Sequence, residues 1–347
     1  MKPSKLYLPL SFLFGAGVRF KNFLFDKGII SAKEFDVPVI CIGNLAAGGT
    51  GKTPMVIKAV EMLLHSGLKP AILSRGYKRS TEEIHIVSGN SFVNDTGDEP
   101  MILFQHFGNV PVVLSGNRVK GIESILHQFP ETDVVVMDDG FQHRWVIPSL
   151  NILLTAFQNP FTSDHLLPAG YLREPANAAH RAQLIVVTKT PQETSRESKQ
   201  HLISRIKKHS NAPVIFSTLA YKPLKHVFTG ETFNESLSGY HCLTVSGISN
   251  DETFTGNIKR QALKTESIRF PNHHHYTNED AGMIARRFNN IAGDKKIIIT
   301  TGKDAVKLKQ SEELRILPLY FLPVEHDFLP DEEELLKTEL IKHARKN

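Results

Sequence analysis

Residues 46–53 constrain the fold of this chain more than any other segment. They read Ala-Ala-Gly-Gly-Thr-Gly-Lys-Thr, follow the apolar run 37–42, and precede a helical pattern over 55–64 that starts after Pro54. A strand, a glycine-rich turn ending in Gly-Lys-Thr and a helix form a phosphate-binding loop, whose backbone N–H groups surround phosphate oxygens. The dipole at the helix N-terminus adds to this attraction. The segment therefore predicts a nucleotide site.

Two side chains of the loop have specific expected roles. Lys52 is expected to hold the β- and γ-phosphates, and the Thr53 hydroxyl to bind Mg²⁺. Ala46 stands where such loops usually have their first glycine, and the alternative interpretation is a glycine-rich turn with a chance Lys-Thr pair. The predicted nucleotide-binding residues are Ala46, Ala47, Gly48, Gly49, Thr50, Gly51, Lys52 and Thr53.

A second motif, residues 133–140, fits the same chemistry. Three valines and a methionine lead into Asp138 and Asp139, which are followed by a glycine. A strand that ends in an aspartate is the usual way to bring a carboxylate to Mg²⁺ beside a phosphate-binding loop. Asp-Asp-Gly is also a common turn, so the motif indicates a Mg²⁺ site only in combination with the phosphate-binding loop.

The order of predicted elements indicates an α/β protein. Strands and helices alternate up to residue 217, which predicts a parallel sheet covered on both faces. The predicted elements include a strand at 184–188, helices at 96–104, 118–127 and 192–207, and a short helix after residues 301–304. A second alternating series begins at residue 241, after a polar stretch that fits a linker or an interdomain strand. We predict a P-loop NTPase-like α/β/α domain, a smaller α/β/α domain and an N-terminal helix. The boundaries are 1–30 for the helix, 31–220 for the kinase domain, 221–239 for the linker and 240–347 for the C-terminal domain.

The first 30 residues combine apolar bulk with positive charge. Residues 6–25 hold twelve large apolar side chains around Arg19 and Lys21, and residues 1–30 hold five basic residues and one acid. The apolar run is too short to span a bilayer. A signal peptide and a helix packed on the protein body are the alternatives. We favour a helix lying in the headgroups of an anionic membrane, since the local charge suits such a surface or a phosphorylated substrate better than nucleic acid.

Absent motifs narrow the class of nucleotide-binding protein. GTPases recognise guanine with Asn/Thr-Lys-x-Asp, and the nearest match, residues 188–191, has proline in place of the aspartate. Partitioning ATPases carry a lysine just before the glycine pair, where this chain has Ala47. A kinase remains. Cys41 and Cys242 lie in apolar runs outside any CxxC, as expected for reduced core residues of a cytosolic protein.

Three further segments have both a functional and a structural interpretation. The loop 74–79 carries three cations and Tyr77 after a predicted strand, and is either a ligand loop or a solvated turn. Thr96 or Asp98 either acts in the site or caps the helix that follows. The histidines 273–275 are an acid–base group or surface residues, and three consecutive side chains cannot all face one metal ion.

Together these motifs resemble the tetraacyldisaccharide 4′-kinases, the lipid A 4′-kinases of Gram-negative bacteria, over nearly the whole chain. The resemblance covers Gly-Asn-Leu at 43–45 through Pro54, Ser-Arg-Gly-Tyr at 74–77, Gly-Asp-Glu-Pro at 97–100, Asp-Asp-Gly-Phe-Gln-His-Arg at 138–144 and Leu-Pro-Ala-Gly-Tyr-Leu-Arg-Glu-Pro at 167–175. The combination of the 138–144 motif with the phosphate-binding loop is highly specific for this family.

The resemblance implies a function. It implies ATP- and Mg²⁺-dependent phosphorylation of the 4′-hydroxyl of a tetraacyldisaccharide 1-phosphate, giving a bis-phosphorylated lipid IVA-type product for lipopolysaccharide synthesis. It also implies a peripheral enzyme on the cytoplasmic face of the bacterial inner membrane.

The resemblance also implies residue roles. In the family an Asp of the Gly-Asp-Glu motif works with a His of an Asp-His motif, which match Asp98 and His273, although Asn272 replaces the usual Asp. The family's Thr-Glu-Lys-Asp appears as Thr-Gly-Lys-Asp at 301–304. Expected catalytic residues are Asp98, His273 and Lys52, and expected Mg²⁺ ligands are Thr53, Glu99, Asp138 and Asp139. Expected substrate-binding residues are Arg75, Tyr77, Arg118, Gln142, His143, Arg173 and Glu174, with no ranking among the three arginines.

Overall fold

The computed structural model of the chain describes residues 4–76, 84–248 and 251–345. They divide into two compact units. Unit 1 consists of Met1–Asn90, Leu103–Ala220 and His326–Asn347, and unit 2 of Ser91–Ile102 and Tyr221–Glu325.

The units are therefore not consecutive segments, unlike the predicted domains 31–220 and 240–347. The chain returns to unit 1 at His326, and its last helix packs there, with Glu333 paired to Lys58 at 2.5 Å. Residues 221–239, predicted as a linker, contribute a short strand to the sheet of unit 2.

Strands and helices alternate along the described residues. The strands are β1 (Val39–Asn44), β2 (Pro70–Ser74), β3 (His85–Ile86), β4 (Val112–Leu114), β5 (Val134–Asp138), β6 (Leu150–Ala156), β7 (Leu184–Thr188), β8 (Val214–Tyr221), β9 (Lys225–His226), β10 (His241–Ser246), β11 (Lys264–Arg269), β12 (Lys296–Thr301), β13 (Leu319–Leu322) and β14 (Val324–Phe328). The helices are α1 (Leu8–Asp26), α2 (Lys52–His65), α3 (Val93–Thr96), α4 (Asp98–Phe107), α5 (Arg118–Gln128), α6 (Arg196–Ile206), α7 (Glu252–Gln261), α8 (Asn278–Asn289), α9 (Gly302–Leu308) and α10 (Pro330–Ala344).

The larger sheet places the two sequence motifs side by side. Within the described residues it has nine strands in the order β14-β8-β7-β6-β1-β5-β2-β4-β3. The pairs from β8 to β4 are parallel, and β3 is antiparallel to β4. Every residue of β1 and β5 is buried, as expected for parallel strands covered on both faces. Ile42 pairs with Asp138 in the β1–β5 register, so the loop after β1 and the carboxylates after β5 emerge together.

The smaller sheet organises unit 2. Its order is β11-β10-β12-β13-β9, with β9 antiparallel to β13 and the other pairs parallel. Helix α8 lies over a core that includes Leu243, Ile284, Phe288 and Ile298. Two sheets of mostly parallel strands, in a chain where strands alternate with helices, confirm the predicted α/β fold class.

Helix α1 contacts the body of unit 1 through small and polar residues. The Ser11 hydroxyl donates to the Leu166 carbonyl and accepts from the Ala169 N–H, both at 2.9 Å. Gly15 lies against Leu166, and Asn22 Nδ2 donates to Glu174 at 3.2 Å. This stripe, Ser11–Gly15–Asn22, follows helical spacing and defines the docking face of α1.

The large apolar residues of α1 point elsewhere. Phe12, Leu13 and Phe20 are 69%, 67% and 63% exposed, although Phe25 is buried. The contacts of α1 agree with a helix packed on the protein body, but most of its large apolar side chains lie outside that contact. No helix in the described part of the chain has the length and hydropathy needed to cross a bilayer.

Several local predictions need correction. Gly97, with φ of +88°, separates α3 from α4, whereas the sequence predicted one helix from residue 96 to 104. Helix α6 begins at Arg196 rather than at residue 192. Strand β14 was not predicted, because Val-Glu-His-Asp-Phe is short and mostly polar.

Candidate functional site

The glycine-rich loop joins β1 to α2 and is held from two sides. Asn44 Nδ2 donates to the Thr50 hydroxyl at 2.7 Å, and the Thr188 hydroxyl donates to the Thr50 carbonyl at 2.8 Å. The Ala47 N–H donates to the Tyr171 carbonyl at 2.7 Å. Ala46, which replaces the usual glycine, forms a bridge with Leu172. The first part of the loop is thus tied to the 165–173 segment.

Lys52 and Thr53 occupy the first turn of α2, where the sequence placed them. The first N–H groups of a helix have no intrahelical acceptor and attract anions. Lys52 Nζ lies 3.8 Å from Asp139 Oδ1, and Thr53 is buried. The lysine of the loop and the carboxylate after β5 therefore share one site.

Asp138 and Asp139 lie at the end of β5 in different surroundings. Asp138 is buried and accepts from the Ser74 hydroxyl at 3.0 Å. Asp139 has a left-handed backbone, with φ of +48°, which is uncommon for a residue with a side chain. Such strain tends to occur at functional sites.

Arg173 holds Asp139 with a two-pronged contact. Its Nη1 donates to Asp139 Oδ2 at 3.0 Å and its Nη2 to Oδ1 at 2.7 Å. Burial by itself raises the pKa of Asp139, but the Arg173 hydrogen bonds and the charges of Lys52, Arg173 and Arg118 outweigh burial and lower it. Asp139 is therefore a carboxylate at neutral pH, available to a cation.

Arg118 is a buried cation in the same part of unit 1. Its Nη1 donates to the Ser115 carbonyl, while Nε and Nη2 are buried and have no hydrogen-bond partner among the described residues. Burial lowers its pKa to about 10, in spite of nearby Asp138 and Asp139. A guanidinium with two unpaired donors is well suited to bind an anion.

The remaining predicted residues of this unit differ in exposure. Gln142 Nε2 donates to the Asn44 carbonyl at 2.8 Å, and its Oε1 is buried with no partner among the described residues. Burial, with the charges of Arg118 and Arg75, lowers the pKa of His143 to about 3, so this imidazole is neutral. Arg75 is exposed after β2. The prediction for Tyr77 lies outside the described residues.

Glu174 has a role in supporting the 165–173 segment. It is buried, pairs with Arg181 at 2.5 Å and accepts from Asn22 of α1. Arg181 also donates to the Phe141 carbonyl at 3.3 Å. The sequence pattern of the loop 166–175 also predicts an ion pair between Arg173 and Glu174. This prediction is wrong, because Arg173 pairs with Asp139 and Glu174 with Arg181.

Asp98 lies between two basic side chains of unit 2. Its Oδ2 lies 2.9 Å from Lys307 Nζ of α9 and 3.3 Å from His273 Nδ1. One residue on, Glu99 pairs with Lys303 at 2.7 Å. Lys303 and Lys307 are four residues apart and therefore lie on the same face of α9. Their partners, Glu99 and Asp98, are consecutive residues.

The two candidates for the helix cap, Thr96 and Asp98, have different contacts. The Thr96 hydroxyl donates to the Phe92 carbonyl at 3.1 Å, within the preceding turn. Asp98 is the first residue of α4, where its charge suits the helix dipole. Its carboxylate nevertheless contacts Lys307 and His273 from distant parts of the chain.

The three consecutive histidines have three different partners. His273 contacts Asp98, His274 Nε2 contacts Asp280 at 2.9 Å, and His275 Nδ1 contacts Asn94 at 3.1 Å. His273 also has a left-handed φ of +58°.

The residues predicted to bind Mg²⁺ differ in location. Thr53, Asp138 and Asp139 belong to unit 1, and Glu99 belongs to unit 2. Among the described side chains, no group of three His, Cys, Asp or Glu residues is arranged to hold a metal ion. Mg²⁺ commonly takes one or two carboxylates and completes its shell with phosphate oxygens and water, which the Asp138–Asp139 pair fits.

Several residues that contact the predicted ones were missed by sequence reasoning, and Lys307 and His326 are two examples. Lys307 pairs with Asp98, and a signal existed in its spacing of four from Lys303 on a predicted helix. His326 contacts Gly51 of the loop from β14. No local pattern marks His326, because the two residues are 275 positions apart.

Comparisons with known proteins agree on one family. The family described as Tetraacyldisaccharide-1-P 4'-kinase matches residues 3–344. The tetraacyldisaccharide 4'-kinase of Bacteroides thetaiotaomicron is 37% identical over 100% of this chain and 95% of its own length. That of Phocaeicola vulgatus is 36% identical over 100% of this chain and 97% of its own length.

A solved structure is similar over the same extent. A crystal structure of the "apo" form of LpxK from Aquifex aeolicus in complex with ATP has a TM-score of 0.78 and 29% sequence identity to this chain. The similarity covers 98% of each chain.

Proposed function

The chain belongs to the tetraacyldisaccharide-1-phosphate 4′-kinase family, and we propose that it transfers the γ-phosphate of ATP to the 4′-hydroxyl of a tetraacyldisaccharide 1-phosphate. The product is the bis-phosphorylated, lipid IVA-type disaccharide of lipid A synthesis. The observation that carries the proposal is the contact between Lys52 and Asp139, which joins a phosphate-binding loop to a carboxylate at the edge of one sheet.

ATP binds to residues 46–53 in this proposal. The N–H groups at the start of α2 and the Lys52 ammonium contact the β- and γ-phosphates. The Lys52 ammonium neutralises the charge that develops on the transferring group. The ATP-bound relative from Aquifex aeolicus supports the choice of nucleotide.

Asp138, Asp139 and the Thr53 hydroxyl would hold Mg²⁺, while Glu99, the other predicted ligand, belongs to unit 2. When bound, the ion supplies Lewis-acid stabilisation of the phosphate oxygens. The charge on Asp139, which Arg173 and Lys52 maintain, supports this assignment. Asp138 and Asp139 both remain candidates for direct coordination.

Asp98 is the general base for the sugar hydroxyl. The bond from the 4′-oxygen to the γ-phosphorus forms, the bond from that phosphorus to the β,γ-bridging oxygen breaks, and the hydroxyl proton passes to Asp98. A positioned base of this kind typically contributes about 10²–10⁴ in rate. His273 orients the carboxylate, which its 3.3 Å contact supports. Asn272 leaves His273 without the preceding carboxylate of the family motif.

The anionic 1-phosphate of the lipid is bound by arginines of unit 1. Arg118 has two buried donors without a partner in the described part of the chain, which makes it the strongest candidate. Arg75 and Arg173 are further candidates, and Gln142 and His143 offer neutral hydrogen-bonding groups. Tyr77 completes the set. Glu174 acts through the segment that carries Arg173.

The exposed face of α1 inserts into the headgroup region of a membrane. A lipid with four acyl chains stays in the bilayer, so the active site has to reach it there. Apolar side chains such as Phe12 and Phe20 supply insertion energy, and Arg19 and Lys21 supply attraction to anionic lipid. We assign the protein to the cytoplasmic face of the bacterial inner membrane, as a peripheral enzyme.

A direct assay tests the function. The purified protein is incubated with ATP, Mg²⁺ and a tetraacyldisaccharide 1-phosphate, and the lipid is analysed by mass spectrometry. We expect a gain of one phosphate, which Lys52→Ala and Thr53→Ala remove because each deletes a part of the phosphate–Mg²⁺ assembly. Near-normal turnover in both folded variants would rule out the nucleotide site, and no mass gain with the wild-type protein would rule out the reaction.

A further inference from the structure

His326 joins the nucleotide-binding loop from a strand that carries none of the sequence motifs. It lies on β14, is 3% exposed and has a hydrogen bond at each ring nitrogen. Nε2 lies 2.9 Å from the Gly51 carbonyl oxygen, and Nδ1 lies 2.8 Å from the Ser217 hydroxyl of β8.

The two partners determine which nitrogen carries the proton. A carbonyl oxygen can only accept, so Nε2–H donates to Gly51, and Nδ1 accepts from the hydroxyl of Ser217. Burial lowers the pKa of His326 to about 4, so the ring is neutral at physiological pH. His326 therefore presents one tautomer in one orientation.

Gly51 is adapted to this contact. Its φ of +82° is left-handed, which favours glycine, and an added Cβ would lie 3.0 Å from His326 Nε2. Its carbonyl also accepts the Met55 N–H at 3.1 Å, which closes the first turn of α2. The imidazole thus contacts the residue that caps the helix.

The orientation of this carbonyl affects the neighbouring amide. A trans peptide is planar, so the Gly51 carbonyl and the Lys52 N–H point in opposite directions. The Lys52 N–H begins α2 and has no intrahelical acceptor. We propose that His326 is a positioning residue, whose hydrogen bond to the Gly51 carbonyl aims the Lys52 N–H at the phosphates of the nucleotide. The proposal rests on the assignment of residues 46–53 as the ATP site.

Nucleotide binding by the full chain tests the proposal. The dissociation constant for ATP with Mg²⁺ is measured by calorimetry, and KM and kcat come from the lipid assay. His326→Leu removes the donor, and we expect ATP affinity to fall and KM to rise by roughly 5–30-fold. We expect kcat to change by less than about threefold, because the amide contacts ATP equally in the ground state and the transition state.

Two conservative variants separate positioning from packing. In His326→Gln the side-chain amide can donate to Gly51, so affinity should return to within about threefold of wild type. Ser217→Ala removes the group that selects the tautomer, and should weaken ATP binding by a smaller factor. Phe328→Leu is the control, since it loosens the same strand without removing the Gly51 contact.

The results that would overturn the role of His326 differ from those that would overturn the proposed function. If wild-type protein binds ATP and Lys52→Ala weakens binding, but Ser217→Ala and folded His326→Leu bind like wild type, His326 has no positioning role. The same holds if Phe328→Leu weakens binding as much as His326→Leu. If His326→Leu does not fold, the other two variants test the proposal. Unchanged affinity in His326→Gln is the expected result, whereas unchanged affinity in Ser217→Ala overturns the proposal. A wild-type protein that does not bind ATP refutes the ATP site itself.

Discussion

The ammonium of Lys307 lies 2.9 Å from the carboxylate of Asp98, and the lysine side chain is only 6% exposed. A buried charge is costly without a counter-ion, so the Lys307 ammonium and the Asp98 carboxylate compensate each other. The pair links α9 to the first residue of α4, so the stability of unit 2 and the placement of Asp98 depend on the same contact.

This ion pair predicts strong coupling between its two residues. Lys307→Met should lower the free energy of unfolding by about 3–5 kcal/mol, because it leaves Asp98 partly buried without its counter-ion. Asp98→Asn in the Lys307→Met background should recover part of this loss. A double-mutant cycle by chemical denaturation measures the coupling. Single-variant effects that simply add would contradict a pair that acts as one unit.

Asp98→Asn should separate catalysis from nucleotide binding. The amide keeps the shape of the side chain but cannot accept a proton, so kcat per folded molecule should fall by roughly 10²–10⁴ while ATP affinity is retained. His273→Ala should also lower kcat, and His275→Ala, whose ring contacts Asn94, is its matched control. Unchanged kcat with reduced folding or ATP affinity would make Asp98 a structural residue.

The two faces of α1 should respond differently to substitution. The triple variant Phe12→Ser, Leu13→Ser, Phe20→Ser changes exposed residues, so it should bind anionic vesicles more weakly and keep its melting temperature. Each of these side chains contributes up to ~1.5–3 kcal/mol when fully buried in an apolar phase. Vesicle sedimentation measures binding, which should also weaken with salt.

Ser11→Ala is the control on the opposite face of the helix. It removes two hydrogen bonds to the 166–169 segment and should lower stability without reducing the apolar surface. A triple variant that unfolds, or that binds vesicles as wild type does, would refute membrane insertion by α1.

His326, which is buried, and His143, which is partly buried, predict loss of stability in mild acid. The pKa is lowered to about 4 at His326 and to about 3 at His143. An unfolded histidine has a pKa near ~6.5, so the unfolded chain takes up protons that the folded chain does not as the pH falls from there. Stability is present above pH ~6.5 and declines below it, by at most ~1.4 kcal/mol per pH unit for each histidine.

Melting temperatures between pH 7 and pH 4.5 test this dependence. His326→Gln should lose less stability over that interval than wild type, whatever its stability at pH 7. His127→Gln, at an exposed position on α5, is the control. Equal slopes for wild type and His326→Gln would show that His326 does not contribute to the acid sensitivity.

Local patterns in the sequence determined the elements and the motifs. Each of these features is a run of consecutive residues: the buried strands β1 and β5, the glycine-rich loop and the Asp138–Asp139 pair. Parallel strands then bring their carboxyl ends to the same edge of the sheet, which is a general rule for α/β proteins. The exact match at β7 and the near match at α5 arise in the same way, because periodicity reports which residues are apolar.

Tertiary structure decided which distant side chains meet. Periodicity does not say that Arg173 pairs with Asp139 and Glu174 with Arg181, or that Lys307 reaches Asp98, since these contacts depend on how strands and helices are arranged in space. It also did not say that α1 docks by Ser11 and Gly15 and leaves most of its phenylalanines exposed, with Phe25 buried. Sequence alone thus determined the chemistry available to this protein, and packing decided which groups orient that chemistry, because burial and partner choice are properties of the whole fold.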